Sequence, residues 1–221
     1  TVFYVKQLCE LALERKLLPH SNLGILDYEE LKVLKNVNAS MGLMLETTSK
    51  ELLKKGKAHY NSPGKNPEQR LKTIKNAGKL KIPFTTGILV GIGENLKDRI
   101  DSLQVIADLA KKYNHIQEVI IQNFNPICGT EFENKKGVTD NEYLLVIALG
   151  RLILPPSVSL QIPPNLNTHR LLAAIEHGSN DLGGISPLTK DHINPTEVWP
   201  KEKALMYILR KKNLELKERL P

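Results

Sequence analysis

Four polar side chains stand where proteins that alternate strands and helices do their chemistry. Glu46 closes the apolar run S-M-G-L-M-L and Glu94 closes F-T-T-G-I-L-V-G-I-G, while Asn123 and Asn165 fall at or just past the ends of E-V-I-I-Q-N-F and V-S-L-Q-I. Barrel enzymes collect residues from the C-terminal ends of several strands into one site in this way. The second run also holds Gly87, Gly91 and Gly93, and glycine weakens a strand unless the backbone bends or is approached closely. Gly91-x-Gly93 is no dinucleotide fingerprint: Leu96 stands at the third glycine position, and no acid closes a following strand at the expected distance.

Other reactive residue types show no such pattern. Cys9 and Cys128 are far apart and form no C-x-x-C pair, so neither a disulfide framework nor a zinc site is indicated, and both read as buried or incidental thiols. His20 and His59 have no triad or metal spacing and read as residues of loops or of a site's surroundings. The net charge is +7, yet the lysines are spread over helix faces such as E-L-L-K-K-G-K and L-A-K-K-Y-N without interleaved aromatics. That dispersal reads as solvated surface and against nucleic acid.

The elements that must position these residues follow from periodicity. At 221 residues, 41% hydrophobic and 25% charged, the chain is long enough to bury one core, and with 5% aromatics that core is aliphatic. No run of eighteen apolar residues occurs, which reads against a membrane span and for a cytoplasmic protein. Val5, Leu8, Cys9, Leu11 and Ala12 give a first helix, L-G-I-L from Leu23 a short strand, and D-Y-E-E-L-K-V-L-K-N a helix capped by Asp27 with Glu30 in a capping box. T-T-S-K-E-L-L-K-K-G predicts a short helix closed by Gly56. Asn66, Pro67, Gln69 and Gly78 predict a helix with a cap, a capping box and a glycine stop. Leu96, Ile100, Leu103 and Ala107 share the inner side of the next helix. Further helices are predicted in D-N-E-Y-L-L-V-I-A-L-G-R-L-I-L, in N-T-H-R-L-L-A-A-I-E-H-G and from Lys201, and a last strand in L-G-G-I-S. Nearly continuous apolar strands alternating with helices predict a parallel sheet covered by helices, open or closed into a barrel.

The segments S-M-G-L-M-L-E-T-T-S, N-P-E-Q-R-L, A-G-K-L-K-I-P-F-T-T-G-I-L-V-G-I-G-E, Q-N-F-N-P, P-P-N-L-N and D-L-G-G-I-S-P-L-T-K-D-H-I-N-P, in this order, resemble the radical S-adenosylmethionine (SAM) enzymes. Within them the resemblance is nearest to the small-subunit family of 7,8-didemethyl-8-hydroxy-5-deazariboflavin (FO) synthase, and it spans almost the whole chain. It implies an α/β fold: a partial (β/α)8 TIM-type barrel of about six βα units, residues 1–221 forming one N-terminally truncated domain without the first two strands.

The resemblance also implies site roles. Gly87, Leu89, Gly91 and Glu94 match the strand that lies along the adenine of SAM, Glu94 ordering the following helix start; the alternative is a glycine-rich bend that binds nothing. Glu46 matches the acid that accepts from the ribose diol, or else serves as a helix cap. Arg70 matches the clamp on the methionyl carboxylate, or else pairs at the surface with Glu68 or another acid. Gln122, Asn123, Asn165 and Asp181 fall where substrate contacts lie, or are buried structural polar groups. The family's [4Fe-4S] cluster is held by C-x3-C-x2-C, which Cys9 and Cys128 cannot supply, so its ligands are expected in a missing N-terminal part and this chain alone is expected to be inactive. Departures from the family pattern are Leu182 for tryptophan, Asn125 for arginine and Gly64 for an acid. The implied reaction closes the deazaflavin ring of a 4-hydroxybenzyl/ribitylaminouracil adduct with release of ammonia, the adduct coming from the FO synthase large subunit as functional partner. A sister radical SAM barrel with another substrate, or a non-catalytic barrel fragment, is the alternative.

Overall fold

The computed structural model describes residues 1–186 and 188–219. In chain order the elements are α1 (Val2–Glu14), β1 (His20–Ser21), α2 (Tyr28–Lys35), β2 (Ser40–Gly42), α3 (Pro67–Lys79), β3 (Phe84–Val90), α4 (Leu96–Tyr113), β4 (Ile116–Asn123), α5 (Asp140–Ile153), β5 (Ser159–Gln161), α6 (Pro164–Asn167), α7 (Leu171–Glu176) and α8 (Glu202–Arg210). The five strands are parallel and lie in the order β1-β2-β3-β4-β5. Such sequential order, with a helical crossover after nearly every strand, is that of a (β/α) barrel wall. Among the described residues the sheet is an open arc.

The core lies between this arc and the helices. Val119 and Ile121 of β4 and Ile88 and Val90 of β3 are buried against Leu103, Ile106 and Ala107 of α4 and Val146 and Ile147 of α5. The other face of the strands carries Thr85, Gly87 and Leu89 beside Glu118, Ile120 and Gln122. One face is therefore aliphatic and permanently packed, and the other is mixed and concave.

Local chemistry sets most boundaries. Asp27 and Glu30 form the expected capping box, and α4 and α5 begin with boxes of their own, Asn95 with Asp98 and Thr139 with Glu142. Asn66 caps α3, but through its own side chain alone, which accepts from the N–H groups of Glu68 and Gln69 at 3.0 and 3.3 Å; Gln69 does not complete a box.

Several expected elements are placed differently. L-G-I-L is not a strand: the Thr73 hydroxyl binds both the N–H and the carbonyl of Leu26, tying this run to α3, and the pairing residues are His20 and Ser21 instead. Gly78 does not end α3 but lies within it. A Cβ there would come within 2.7 Å of the Tyr113 ring, so glycine is needed for helix packing, and the left-handed turn falls on Lys81 (φ 53°). T-T-S-K-E-L-L-K-K-G forms only a 3-10 turn, Lys50–Leu53. The helix predicted from Asn167 breaks into α6, a 3-10 turn and α7. Leu96 is exposed, because it follows the cap directly, and Arg99 and Ser102 join the inner face of α4 in its place. L-G-G-I-S is not a strand: only Asp181 bridges Gln161. The Asp181 carboxylate then accepts from the N–H of Gly183, whose φ of 65° turns the chain away.

Candidate functional site

The C-terminal ends of β2 and β3 build a charged half of the site. Up to Leu43 the pairing is regular: Met41 N–H donates to Pro83 O and Leu43 N–H to Thr85 O. The next donor in register would be Leu45, but its N–H goes to the Thr86 hydroxyl at 3.3 Å, and Glu46 takes Gly87 O at 3.0 Å. One extra residue has entered the edge of the ladder, a bulge that re-aims the side chains beyond it. Glu46 absorbs the distortion with φ at 69°, a left-handed conformation that costs a β-substituted residue energy and clusters at functional positions.

The Glu46 carboxylate is 8% exposed in a cage of basic side chains. Lys65 Nζ contacts Oε1, Arg70 Nη1 lies 3.4 Å from the same oxygen, and His59 Nε2 is 4.0 Å from Oε2. Arg70 also donates from Nε to Gly64 O at 2.7 Å and from Nη1 to Met44 O, so it fastens the loop before α3 over the bulge. Burial holds the Arg70 guanidinium below its usual value despite the opposing pull of Glu46. Burial likewise lowers the His59 imidazole more than Glu46 raises it, and His59 Nδ1 is buried with no partner among the described residues. Glu68 pairs with exposed Lys50, so the acid beside Arg70 is Glu46, in a buried setting and not at the surface.

Glu94 closes the same half from the other side. Its two oxygens accept from Gly91 N–H and Ile92 N–H at 2.7 and 2.8 Å, and Arg99 Nε donates to it at 2.7 Å. It therefore staples the turn behind it, and ordering of the helix start belongs to Asn95 and Asp98. Gly91 and Gly93 occupy the turn with φ of 100° and 110°, which glycine adopts without penalty. At Gly87 the reason is contact: a Cβ would lie 2.3 Å from Ile120 O and 2.8 Å from Met44 Sδ. Half-buried Leu89 donates its N–H to Glu46 O at 3.0 Å, so bulge and glycine turn are one unit.

The ends of β4 and β5 build a second, largely uncharged half. Asn123 Nδ2 donates to Asn125 Oδ1 at 2.7 Å, and Asn123 Oδ1 accepts from Asn167 Nδ2 at 2.9 Å. Asn167 Oδ1 in turn accepts from Arg170 Nε at 2.7 Å. Arg170 continues to Asp140 at 2.7 Å and stacks 4.1 Å over the Tyr143 ring, whose hydroxyl donates to Ile121 O. Asn123 is thus the keystone of an amide chain, with both ends of its side chain engaged. Asn165 differs: Nδ2 donates to Asp191 Oδ2 at 2.9 Å, but Oδ1 is buried with no partner among the described residues. Both asparagines border a cleft of about 620 Å³ with Asn125, Asp140, Arg170 and Glu197.

Asp181 extends the sheet beside the end of β5, its carbonyl accepting from Ile162 N–H at 3.1 Å. It pairs with Arg219 Nε at 2.7 Å, and the same guanidinium binds buried Glu118, so Asp181 belongs to an ionic cluster beside β5 and the C-terminal segment. Gln122 sits on the concave face as the register partner of Leu89. The sequence reading missed Lys65, Arg99, Asn167, Arg170 and the part played by His59; the nearest signal was the polar density of the loop K-A-H-Y-N-S-P-G-K and of N-L-N-T-H-R.

The Glu46 cage offers one buried carboxylate oxygen held by Lys65 and Arg70 and a second with His59 Nε2 4.0 Å away, an acceptor chemistry that suits a hydroxyl-bearing ligand. The cysteines do not fit an iron-sulfur cluster: Cys9 is buried against Ser21 and Asn38, whereas Cys128 is exposed on the loop after β4. Among the described residues no helix is long and apolar enough to cross a membrane.

Comparison with known proteins bears on family and fold. Residues 1–106 match the radical SAM superfamily model. The chain is 54% identical over 218 residues to the 7,8-didemethyl-8-hydroxy-5-deazariboflavin synthase of Methanoculleus marisnigri, covering 98% of this chain and 63% of that protein. It is 53% identical over 222 residues to the synthase of the same name from Methanococcoides burtonii, covering 100% and 64%. The chain therefore spans somewhat under two thirds of these relatives. Among solved structures, methylornithine synthase (PylB) superposes with a TM-score of 0.74 at 19% identity, covering 97% of this chain and 64% of that one. The FeFe-hydrogenase maturase HydG from Carboxydothermus hydrogenoformans superposes with a TM-score of 0.77 at 18% identity, covering 96% and 51%. Both carry the same barrel fold.

Proposed function

Because the chain belongs to the radical SAM superfamily, we propose that it is the greater part of the barrel of a deazaflavin-forming enzyme, which binds SAM at the ends of β2 and β3 and its organic substrate at the ends of β4 and β5. The reading is supported by two relatives named 7,8-didemethyl-8-hydroxy-5-deazariboflavin synthase, and its substrate is the 4-hydroxybenzyl/ribitylaminouracil adduct made by the large subunit of that synthase. When bound, SAM together with a [4Fe-4S] cluster, for which this chain's cysteines are unsuited, would supply the radical chemistry that activates a C–H bond of the adduct for ring closure.

The protein's own part is binding, orientation and exclusion of water. Glu46 accepts from the two ribose hydroxyls. Arg70, which holds the loop over Glu46, turns part of its donor capacity to the methionyl carboxylate, a planar acceptor that matches its fork. The glycine turn held by Glu94 keeps Leu89 and Gly91 level with Glu46 as the adenine wall. Asn165 faces the substrate, while Asn123 holds the amide chain that shapes the cleft.

One observation carries the reading: Glu46, buried, left-handed and set out of register by a bulge, is an acceptor aimed at a cost that a purely structural residue would avoid. Calorimetric titration of SAM into the full-length enzyme tests it. Glu46→Ala removes an acceptor of charge-assisted hydrogen bonds worth about 1.5 to 3 kcal/mol and weakens SAM roughly 10- to 150-fold. An unchanged dissociation constant with a lowered melting midpoint assigns Glu46 to structure alone.

A further inference from the structure

Asn165 borders the cleft at the ends of β4 and β5, and its amide oxygen is buried with no donor among the described residues. Its orientation is fixed by chemistry. The Asp191 carboxylate accepts from Asn165 Nδ2 and also from Ile193 N–H at 2.9 Å and from Asn194 N–H and Nδ2 at 3.1 Å each. A carboxylate holding this many donors can only accept, so the amide cannot be flipped to present Nδ2 to the cleft. Oδ1 is left over, in a side chain 6% exposed, with no donor among the described residues.

The cleft's charges narrow what can complete that contact. Its guanidinium, Arg170, already holds Asn167 and Asp140 and stacks on Tyr143, and His169 Nε2 lies 3.3 Å from the same Asp140 oxygen. The remaining polar surface is amide, hydroxyl and carboxylate, from Asn125, Thr168 and Glu197. Such a surface rewards hydrogen-bond donors and repels anions.

We propose that Asn165 is the specificity-determining residue of this cleft, its Oδ1 accepting a hydrogen bond from an N–H or O–H group on a neutral, polar ligand. This rests on the deazaflavin reading; of that adduct's donors, which also include a phenol O–H and exocyclic N–H groups, we assign the contact to the ring N–H groups of the aminouracil or the hydroxyls of its ribityl chain. Asp191 is a positioning residue that points the amide.

The test is equilibrium binding to the full-length enzyme of ribitylaminouracil, of its ring-N-methylated derivative and of a derivative with an unsubstituted alkyl chain in place of ribityl, each against wild type and Asn165→Ala. For wild type we expect about tenfold weaker binding of whichever derivative lacks the contacted donor, which identifies ring or ribityl as its source. Asn165→Ala weakens the parent about tenfold, loses that discrimination and leaves SAM affinity within twofold. Equal binding of all three ligands by wild type overturns the proposal even if the variant fails to fold, and so does a folded Asn165→Ala that binds the parent as wild type does. Wild type that binds SAM but not ribitylaminouracil refutes the deazaflavin reading and the proposal together, whereas binding of the parent without discrimination refutes this proposal alone.

Discussion

The two halves of the site solve one problem, holding polar groups in a fixed place inside a sheet enzyme, by opposite means. At the ends of β2 and β3 the groups are ionised and buried, with Glu46 among Lys65, Arg70 and His59 and Glu94 on Arg99, and the backbone itself is irregular. At the ends of β4 and β5 they are mostly neutral amides in a chain from Asn125 to Arg170, carried in part by a helix that breaks into α6, a 3-10 turn and α7. A buried charge tolerates little movement, because losing its partner leaves it in low dielectric. An amide loses less and can be re-partnered. The charged half therefore suits a ligand that is itself charged and of one kind, and the amide half a ligand recognised by its pattern of donors.

The comparison breaks most sharply at Glu94. Glu94→Ala leaves Arg99 buried without its carboxylate and frees two backbone donors, so we expect a loss of about 3 to 5 kcal/mol in equilibrium denaturation. Asn167→Ala, the corresponding cut in the amide chain, is expected to cost about 1 to 3 kcal/mol. Equal losses would remove the distinction between the halves. A pH series sharpens it. His59 has its folded pKa depressed by burial, so the unfolded state binds the proton more readily, and stability falls as pH drops below about 6.5. His115, driven down to about 4 by burial, contributes in the same window, so the comparison is of slopes: His59→Gln should flatten the acid limb relative to wild type, and Asn167→Ala should leave its slope unchanged. The smallest effect is expected for Glu68→Ala, about 0 to 1 kcal/mol, since its partner Lys50 is exposed.

The halves also differed in how far the sequence revealed them. Elements whose signals are local were legible: the capping box of Asp27 and Glu30, and β3 and β4 with their polar ends at Glu94 and Asn123. So was the α/β class, which the alternation of elements carries, while the barrel was legible from the polar strand ends and the family resemblance. What the residues hold was not legible, because partners come from distant segments. Glu46 meets Lys65 and Arg70 only once the loop before α3 folds over the bulge, and a bulge leaves no mark on an apolar pattern. Gly78 read as a stop because its actual reason, the ring of Tyr113, lies 35 residues away in sequence (113 less 78). Asp181 was a substrate candidate through the resemblance of D-L-G-G-I-S-P, and its partner Arg219, which arrives from the C-terminal segment, had no signal near it in the sequence.

We propose a division of labour between a charged half that binds SAM and an amide half that binds the neutral substrate. It is tested most directly by titrating SAM calorimetrically into full-length Glu46→Ala and Asn165→Ala side by side. The account predicts a dissociation constant raised roughly 10- to 150-fold for Glu46→Ala and unchanged within about twofold for Asn165→Ala, where separate sites make the effects independent. Equal weakening in both variants, or none at Glu46, would contradict it.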